Sequence, residues 1–150
     1  MPASVELQLQ QFNRIDKALN DLYHETALSL GLSDSAFLIF YLLHTLGDGC
    51  LQRDICREAF VSKQTVHSSA AKLERDGFLR LAPGRGRDKH LFLTAQGRAF
   101  VQSHIAPVIR AEHDALASLT EQERDALLRL YTKYTDGLRR QLAACVADRP

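Results

Sequence analysis

Apolar residues recur along the first thirty positions at the three- and four-residue spacing of a helix. Phe12, Ile15, Leu19, Leu22, Thr26 and Leu30 fall on one stripe, which predicts a long helix over 5–29. Ser33 suits the N-cap of a second helix over 34–46. The run Phe37-Leu38-Ile39-Phe40-Tyr41-Leu42-Leu43 leaves that helix little polar face, the mark of a central core element. Gly47-Asp48-Gly49 then breaks the chain. Two short helices are predicted over 52–59 and 63–76, with Phe60-Val61-Ser62 between them and Gly77 ending the second. Phe78-Leu79-Arg80-Leu81-Ala82 alternates as a strand, and His90-Leu91-Phe92-Leu93 returns as another. Pro83-Gly84-Arg85-Gly86-Arg87-Asp88 is the turn that makes the two strands a hairpin.

Thr94 has the chemistry to cap a long helix over 95–118, which Pro107 should kink rather than end, because the apolar pattern resumes at Val108-Ile109. Thr120-Glu121-Gln122-Glu123 is a capping box. A last helix over 121–146 carries Leu127, Leu130, Tyr134, Leu138, Leu142 and Cys145 on one stripe. There are no internal repeats or low-complexity segments. The first helix and the last two are too long and one-sided to pack wholly within a small monomer, so their leftover stripes predict an intertwined dimer. The expected fold class is mainly α with a small β-hairpin wing. A winged helix-turn-helix over 34–94 is flanked by an N-terminal dimerisation helix (1–33) and C-terminal dimerisation helices (95–150), one compact unit in all.

Length and composition narrow the class. A chain of 150 residues is long enough for one well-buried core and short for two. The longest apolar run, Ala36 to Leu43, stops at His44, well short of a bilayer span, so no membrane partner is expected. Met1-Pro2-Ala3-Ser4-Val5-Glu6 lacks the basic-then-apolar order of a secretory signal, and the expected location is cytoplasmic. Cys50, Cys56 and Cys145 are odd in number and form no Cys-x-x-Cys pair, which argues against a disulfide framework and a structural zinc site.

The net charge of +1 says nothing for nucleic acid, but its distribution does. Leu51 to His90 holds nine basic residues (Arg53, Arg57, Lys63, Lys72, Arg75, Arg80, Arg85, Arg87 and Lys89) against five acids. The remainder holds ten basic and thirteen acidic residues. A basic middle between neutral or acidic ends suits a chain that touches phosphate with one part only.

Within that middle, Ile55 and Ala59 on the first short helix, Val61 in the turn, and Val66, Ala70 and Leu73 on the second form a small core that sets two helices at a steep angle. Gln64, Thr65, His67 and Ser68 are left on the opposite face, near the start of the second helix. That end enters the major groove in a helix-turn-helix. Gln can pair with the N6 and N7 edge of adenine, and Thr and Ser reach several bases. Ser62 and Lys63 lie at the helix N-terminus, where free amides favour a phosphate, and Lys72 and Arg80 are better placed for the backbone than for bases. Arg85 and Arg87, separated by glycine, form a cationic wing tip of the kind that gains from a narrow minor groove.

These segments together resemble the MarR family of winged-helix regulators. The resemblance rests on Gln52-Arg53-Asp54-Ile55-Cys56, Val61-Ser62-Lys63-Gln64-Thr65-Val66, Leu73-Glu74-Arg75-Asp76-Gly77-Phe78-Leu79-Arg80 and Leu91-Phe92-Leu93-Thr94-Ala95-Gln96-Gly97. It implies a homodimer that binds double-stranded DNA at a pseudo-palindromic operator and represses transcription. Many members release DNA on binding a small, often phenolic, molecule or on oxidation. Three positions depart from the pattern. The family's Asp-x-Arg wing appears as Arg85-Gly86-Arg87, so the acid that steadies the wing arginine is missing. Leu51 stands in place of a Thr or Ser cap, and Cys56 in place of a small Ala.

Other chemistry is sparse. Cys56 is expected to pack inside the helix-turn-helix, Cys50 to be more exposed, and Cys145 to be buried near the dimer seam. His24, His44, His104 and His113 lie on helices that the family packs around its effector cavity, and some relatives bind zinc there, but no two of these stand four apart. Tyr23, Phe40, Tyr41 and His44 are the candidate lining of a pocket for a small aromatic or phenolic effector. No nucleophile with a base, no carboxylate pair and no phosphate-cradling glycine loop can be picked out, so neither catalysis nor a cofactor is expected. The alternative function is a winged helix used only for protein contacts, without specific DNA binding.

Overall fold

Side-chain caps start most of the helices in the computed structural model, which describes residues 4–59 and 61–147. Phe60, expected in the turn of the helix-turn-helix, and the N-terminal Met1-Pro2-Ala3 lie outside the described residues. Helix α1 (Val5–Ser29) opens where the Ser4 hydroxyl accepts the Leu7 N–H, and α2 (Asp34–Leu46) where Ser33 accepts that of Ala36. Helix α3 (Gln52–Ala59) has Leu51 before it, and the missing cap is supplied from inside: the Asp54 carboxylate accepts the Leu51 N–H at 3.3 Å. Helix α4 (Lys63–Arg75) is capped by Ser62, whose hydroxyl accepts the Thr65 N–H at 3.2 Å.

The end of α4 sets the direction of the hairpin. Gly77 takes φ +87°, its N–H donates to the Glu74 carbonyl, and the Phe78 N–H reaches back to the Leu73 carbonyl. This pair of bonds is a Schellman turn, which needs the left-handed conformation that glycine adopts without penalty. The chain leaves it as β1 (Leu79–Pro83) and returns as β2 (Lys89–Leu93), paired antiparallel with Leu79 opposite Leu93 and Pro83 opposite Lys89. Each strand extends one residue further toward the tip than the alternation indicates, because Pro83 still pairs. Residues 49–51 lie along the other side of β2. The Gly49 N–H donates to the Leu91 carbonyl, the Leu91 N–H to the Cys50 carbonyl, and Leu51 bridges to His90.

Thr94 ties the hairpin to the next helix. Its hydroxyl donates to the Gly77 carbonyl at 2.6 Å and accepts the Gly97 N–H, while its own N–H donates to the Phe78 carbonyl. The helix it opens is not a single kinked one. Helix α5 (Ala95–Phe100) gives way to a π-helical turn over Val101–Ile105, and α6 (Ala106–Ala117) resumes beyond it. Pro107 has no N–H to offer the carbonyl four residues back, and its ring crowds that carbonyl. Widening the preceding turn, with the Ala106 N–H bonded to the Val101 carbonyl, accommodates the proline without breaking the helix.

The contacts divide the chain between Pro107 and Val108. In the first part, α2 is central as its composition predicts: Phe37, Ile39, Phe40 and Leu43 are buried. Phe40, Phe78 and Phe100 form an aromatic triangle with centroid separations of 4.9 to 5.7 Å, joining α2, the start of the hairpin and α5. Ile55, Val66, Ala70, Leu73, Leu79 and Leu91 complete the core beneath the helix-turn-helix and hairpin. In the second part, the Glu123 carboxylate accepts the Thr120 N–H at 2.7 Å, and Thr120 accepts the Glu123 N–H at 3.2 Å. This reciprocal box starts α7 (Glu121–Ala147), none of whose described residues is buried in the single chain. No single helix among the described residues is long and apolar enough to cross a membrane.

The close approach of α5 to the hairpin gives a test. A Cβ on Gly97 would sit inside contact distance of the Phe78 carbonyl oxygen, a backbone atom that cannot turn aside. Helix propensity alone makes Gly97→Ala favourable by about 1 kcal/mol. Overpacking instead predicts a net loss of about 2 kcal/mol, visible as a lower thermal midpoint.

Candidate nucleic-acid interface

The α4 start and the hairpin tip project to the same side of the first part. Gln64, Thr65, His67 and Ser68 are all exposed, as are Ser62 and Lys63 at the helix start and Arg85 and Arg87 at the tip. A cleft of about 570 Å³ lies between them, lined by Gln52, Arg53, Lys63, Gln64, His67, Arg85, Arg87 and Asp88. Every lining residue is polar, and four are permanent cations against one carboxylate. The first turn of α4 contains no acid, so its free amides and dipole add to the positive field.

Not all the expected residues share this cleft. Thr65 and Ser68 stand on the exposed face of α4 outside its walls, and the Thr65 hydroxyl is paired with that of Ser62 at 2.8 Å. Lys72 borders a different small cavity, near Ser33, Ser69 and Asp76. The Arg80 guanidinium lies 4.8 Å above the Phe92 ring, a cation–π contact that holds it along the hairpin. Conversely, the cleft recruits Gln52, Arg53 and Asp88, which sequence reasoning passes over. One signal for Asp88 is present in the sequence: once Arg85 replaces the expected wing acid, the next acid in the loop is Asp88 itself.

Asp88 is unusual among these groups. Its side chain is 17% exposed, whereas that of Arg53 is 62% exposed. One carboxylate oxygen accepts the Lys89 N–H at 3.0 Å. The other has no hydrogen-bond donor among the described residues and faces the Arg53 Nε at 3.5 Å, an ion pair without hydrogen-bond geometry. The backbone of Asp88 closes the loop, its carbonyl accepting the Gly84 N–H and its N–H donating to the Arg85 carbonyl.

The four residues expected to line an effector pocket are placed as follows. Phe40 is fully buried in the aromatic triangle and faces the core. Tyr23 and Tyr41 both pack on Phe37, at centroid distances of 6.5 and 6.1 Å. His44 borders a separate hollow of about 280 Å³ with Leu43, Asp48, Leu93 and Arg98. Of the other histidines, His24 pairs with Asp34 at 2.9 Å and His104 stacks on Phe100. Among the described residues no three His, Cys, Asp or Glu side chains are grouped to hold a metal ion.

Cys50 and Cys56 are both half-buried, so exposure does not set Cys50 apart as expected. Burial, with help from the nearby Asp54 charge, pushes its thiol from an ordinary 9.0 up to about 11. Its backbone is held against β2, which explains the burial. Burial also raises the Cys56 thiol, with the Lys63 charge opposing and Asp88 reinforcing the shift. Cys145 is exposed in the single chain.

A helix-turn-helix followed by a two-stranded wing, with a cationic cleft between recognition helix and wing tip, defines a winged-helix DNA-binding protein. A profile of the MarR family matches residues 30–88. A MarR-family transcriptional regulator from Silicibacter pomeroyi is 30% identical, over 83% of this chain and 84% of that one, with a TM-score of 0.62. A MarR-family regulator from Neisseria meningitidis superposes with a TM-score of 0.77 at 19% identity, covering 91% of this chain and 97% of that one. A Listeria monocytogenes relative described as a putative MarR-family regulator, solved with a 26mer DNA, gives 0.66 at 18% identity, over 100% and 98% of the two chains. Comparison with curated proteins returned no match. The chain belongs to the MarR family of transcriptional regulators.

The thiol burial has a measurable consequence. At pH 8 a shift from 9.0 to about 11 leaves Cys50 far less thiolate than in the unfolded chain, roughly a hundredfold less by simple titration. Alkylation of Cys50, followed by peptide mass spectrometry, is expected to be at least ~10-fold slower in the folded protein than in denaturant.

Proposed function

We propose that this regulator binds duplex DNA as a homodimer at a pseudo-palindromic operator and represses transcription by occupying it. In this reading α4 enters the major groove, with Gln64 and His67 toward the base edges and Thr65 and Ser68 beside them. Ser62 and Lys63 meet phosphate at the helix start, and Arg85 and Arg87 follow the adjacent minor groove. Lys72 and Arg80 are secondary phosphate contacts. The observation that carries the proposal is the shared cleft: the α4 start and both wing arginines line one cationic surface.

The dimer is supported by apolar surface that a lone chain leaves in water. Ile15 and Leu22 on α1 are 70% and 61% exposed, and Leu130 and Leu142 on α7 are 53% and 55% exposed. Such stripes are costly unless a partner covers them, and a two-fold pair presents two recognition helices to successive turns of one DNA face. The mass in solution is therefore expected to be twice the 16.8 kDa of the chain. A monomer by light scattering would rule out the paired half-sites.

Selection of bound fragments from random duplex DNA tests the DNA reading and supplies the operator. On that operator Gln64→Ala is expected to cost about 1–3 kcal/mol and to relax base preference at one position of each half-site. Arg87→Ala should instead weaken operator and random DNA alike and reduce the salt slope of binding by about one. Titration by fluorescence anisotropy across salt concentrations separates the two; equal affinity of Gln64→Ala and parent would refute base reading by Gln64.

A further inference from the structure

A negative charge on a surface that faces phosphate opposes DNA binding, and a hydrated aspartate at a loop tip would be exposed. Asp88, the carboxylate in the cationic cleft, is not free: its side chain is mostly buried, and among the described residues its second oxygen is paired with the Arg53 guanidinium. A carboxylate removed from water in this way requires a nearby cation. We propose that Asp88 is a positioning residue for DNA binding. Through Arg53 it fastens the wing loop to α3, and so fixes where Arg85 and Arg87 stand relative to the start of α4. The proposal rests on the DNA-binding function proposed for this cleft and adds to it the part that sets wing geometry.

Three observations carry it. First, the pair crosses between elements: Arg53 is on the first turn of α3, and Asp88 is the last residue of the turn before β2. Second, the loop is closed around Asp88 by its own backbone, through the Gly84 N–H and the Arg85 carbonyl, so holding Asp88 holds the whole tip. Third, the loop meets the start of α3 at a second point. A Cβ on Gly84 would lie 3.0 Å from Leu51 Cδ2, so the loop backbone is packed close against that side chain. The apolar contact limits the distance of the wing from α3, and the ion pair resists its swing. The role expected of an acid two residues before the wing arginine is then filled by one residue after it, acting on a different element.

The proposal and plain electrostatics differ in sign. If Asp88 were only a repulsive charge, Asp88→Asn would tighten binding to every DNA. If it positions the wing, Asp88→Asn loses the tie while keeping the turn and an oxygen for the Lys89 N–H. Binding to the selected operator should then weaken by about fivefold, the scale of one partly exposed ion pair, while binding to random duplex DNA is unchanged or tighter. The ratio of operator to random affinity falls, and that ratio is the readout. Arg53→Met should lower the same ratio, and the double variant should lower it no further than Arg53→Met alone. Measured by anisotropy at one salt concentration, an operator affinity of Asp88→Asn equal to or above the parent's overturns the proposal. So does a double variant in which the two losses multiply. Should Asp88→Asn fail to fold by its melting curve, Arg53→Gln removes the pair from the exposed side. A fall in operator and random affinity by the same factor would then make Arg53 a simple phosphate contact and overturn the tie. If the parent binds no duplex DNA at all, the DNA reading itself has failed, and that outcome is recognisable before any variant is made.

Discussion

The peptide groups of Phe78 are held from three directions. The Phe78 N–H closes the Schellman turn on α4, its carbonyl accepts the Thr94 N–H, and the same carbonyl bears on Gly97 of α5. Its ring completes the triangle with Phe40 and Phe100. The angle at which the hairpin leaves α4 is therefore set by backbone hydrogen bonds and an aromatic contact with the core residue Phe40, both of which tolerate little displacement. The cleft exists because that angle brings a loop back beside the start of α4. Remove the constraint, and exposed arginines and an exposed helix N-terminus remain, but they no longer make one surface.

That surface also explains how a chain of net charge +1 suits a polyanion. Field at a binding site depends on the charges within a Debye length, about 10 Å, far more than on the total. Arg53, Lys63, Arg85 and Arg87 are gathered around one cleft, while much of the acid in the sequence lies outside the basic middle. The near-zero sum reflects separation of charge along the chain.

Much of this is legible in the order of residues alone. Ser33, Thr94 and the Thr120–Glu123 box each announce a helix start correctly, because capping is settled within four residues of sequence. The exposed α4 face follows from periodicity. What escapes depends on distant partners. Spacing along α4 and the hairpin points Arg80 to the DNA backbone without showing that Phe92, twelve residues on, lies under its guanidinium. Phe40 and Tyr41 are neighbours on a helix that is apolar almost all round, and such a helix has no moment to say that Phe40 is the one fully buried. The glycine-rich surroundings of Cys50 suggest solvent, but β2 lies alongside it. Pro107 signals a disturbance without revealing its form, since a kink and a π turn use the same residue.

The contact between Gly97 and Phe78 has a bearing on how such a hairpin changes over evolutionary time. An obstructing side chain can be shortened by a second substitution, but a carbonyl oxygen belongs to every residue and cannot be trimmed away. The stem of the hairpin is therefore anchored at a point where no compensating change is open to it. Its outer loop is only partly free of such barriers: nothing lies near a side chain added at Gly86, whereas one at Gly84 would meet Leu51 and the Asp88 carbonyl oxygen. Change is therefore easiest at the very tip of the loop, beyond the residues that set the direction in which it is aimed.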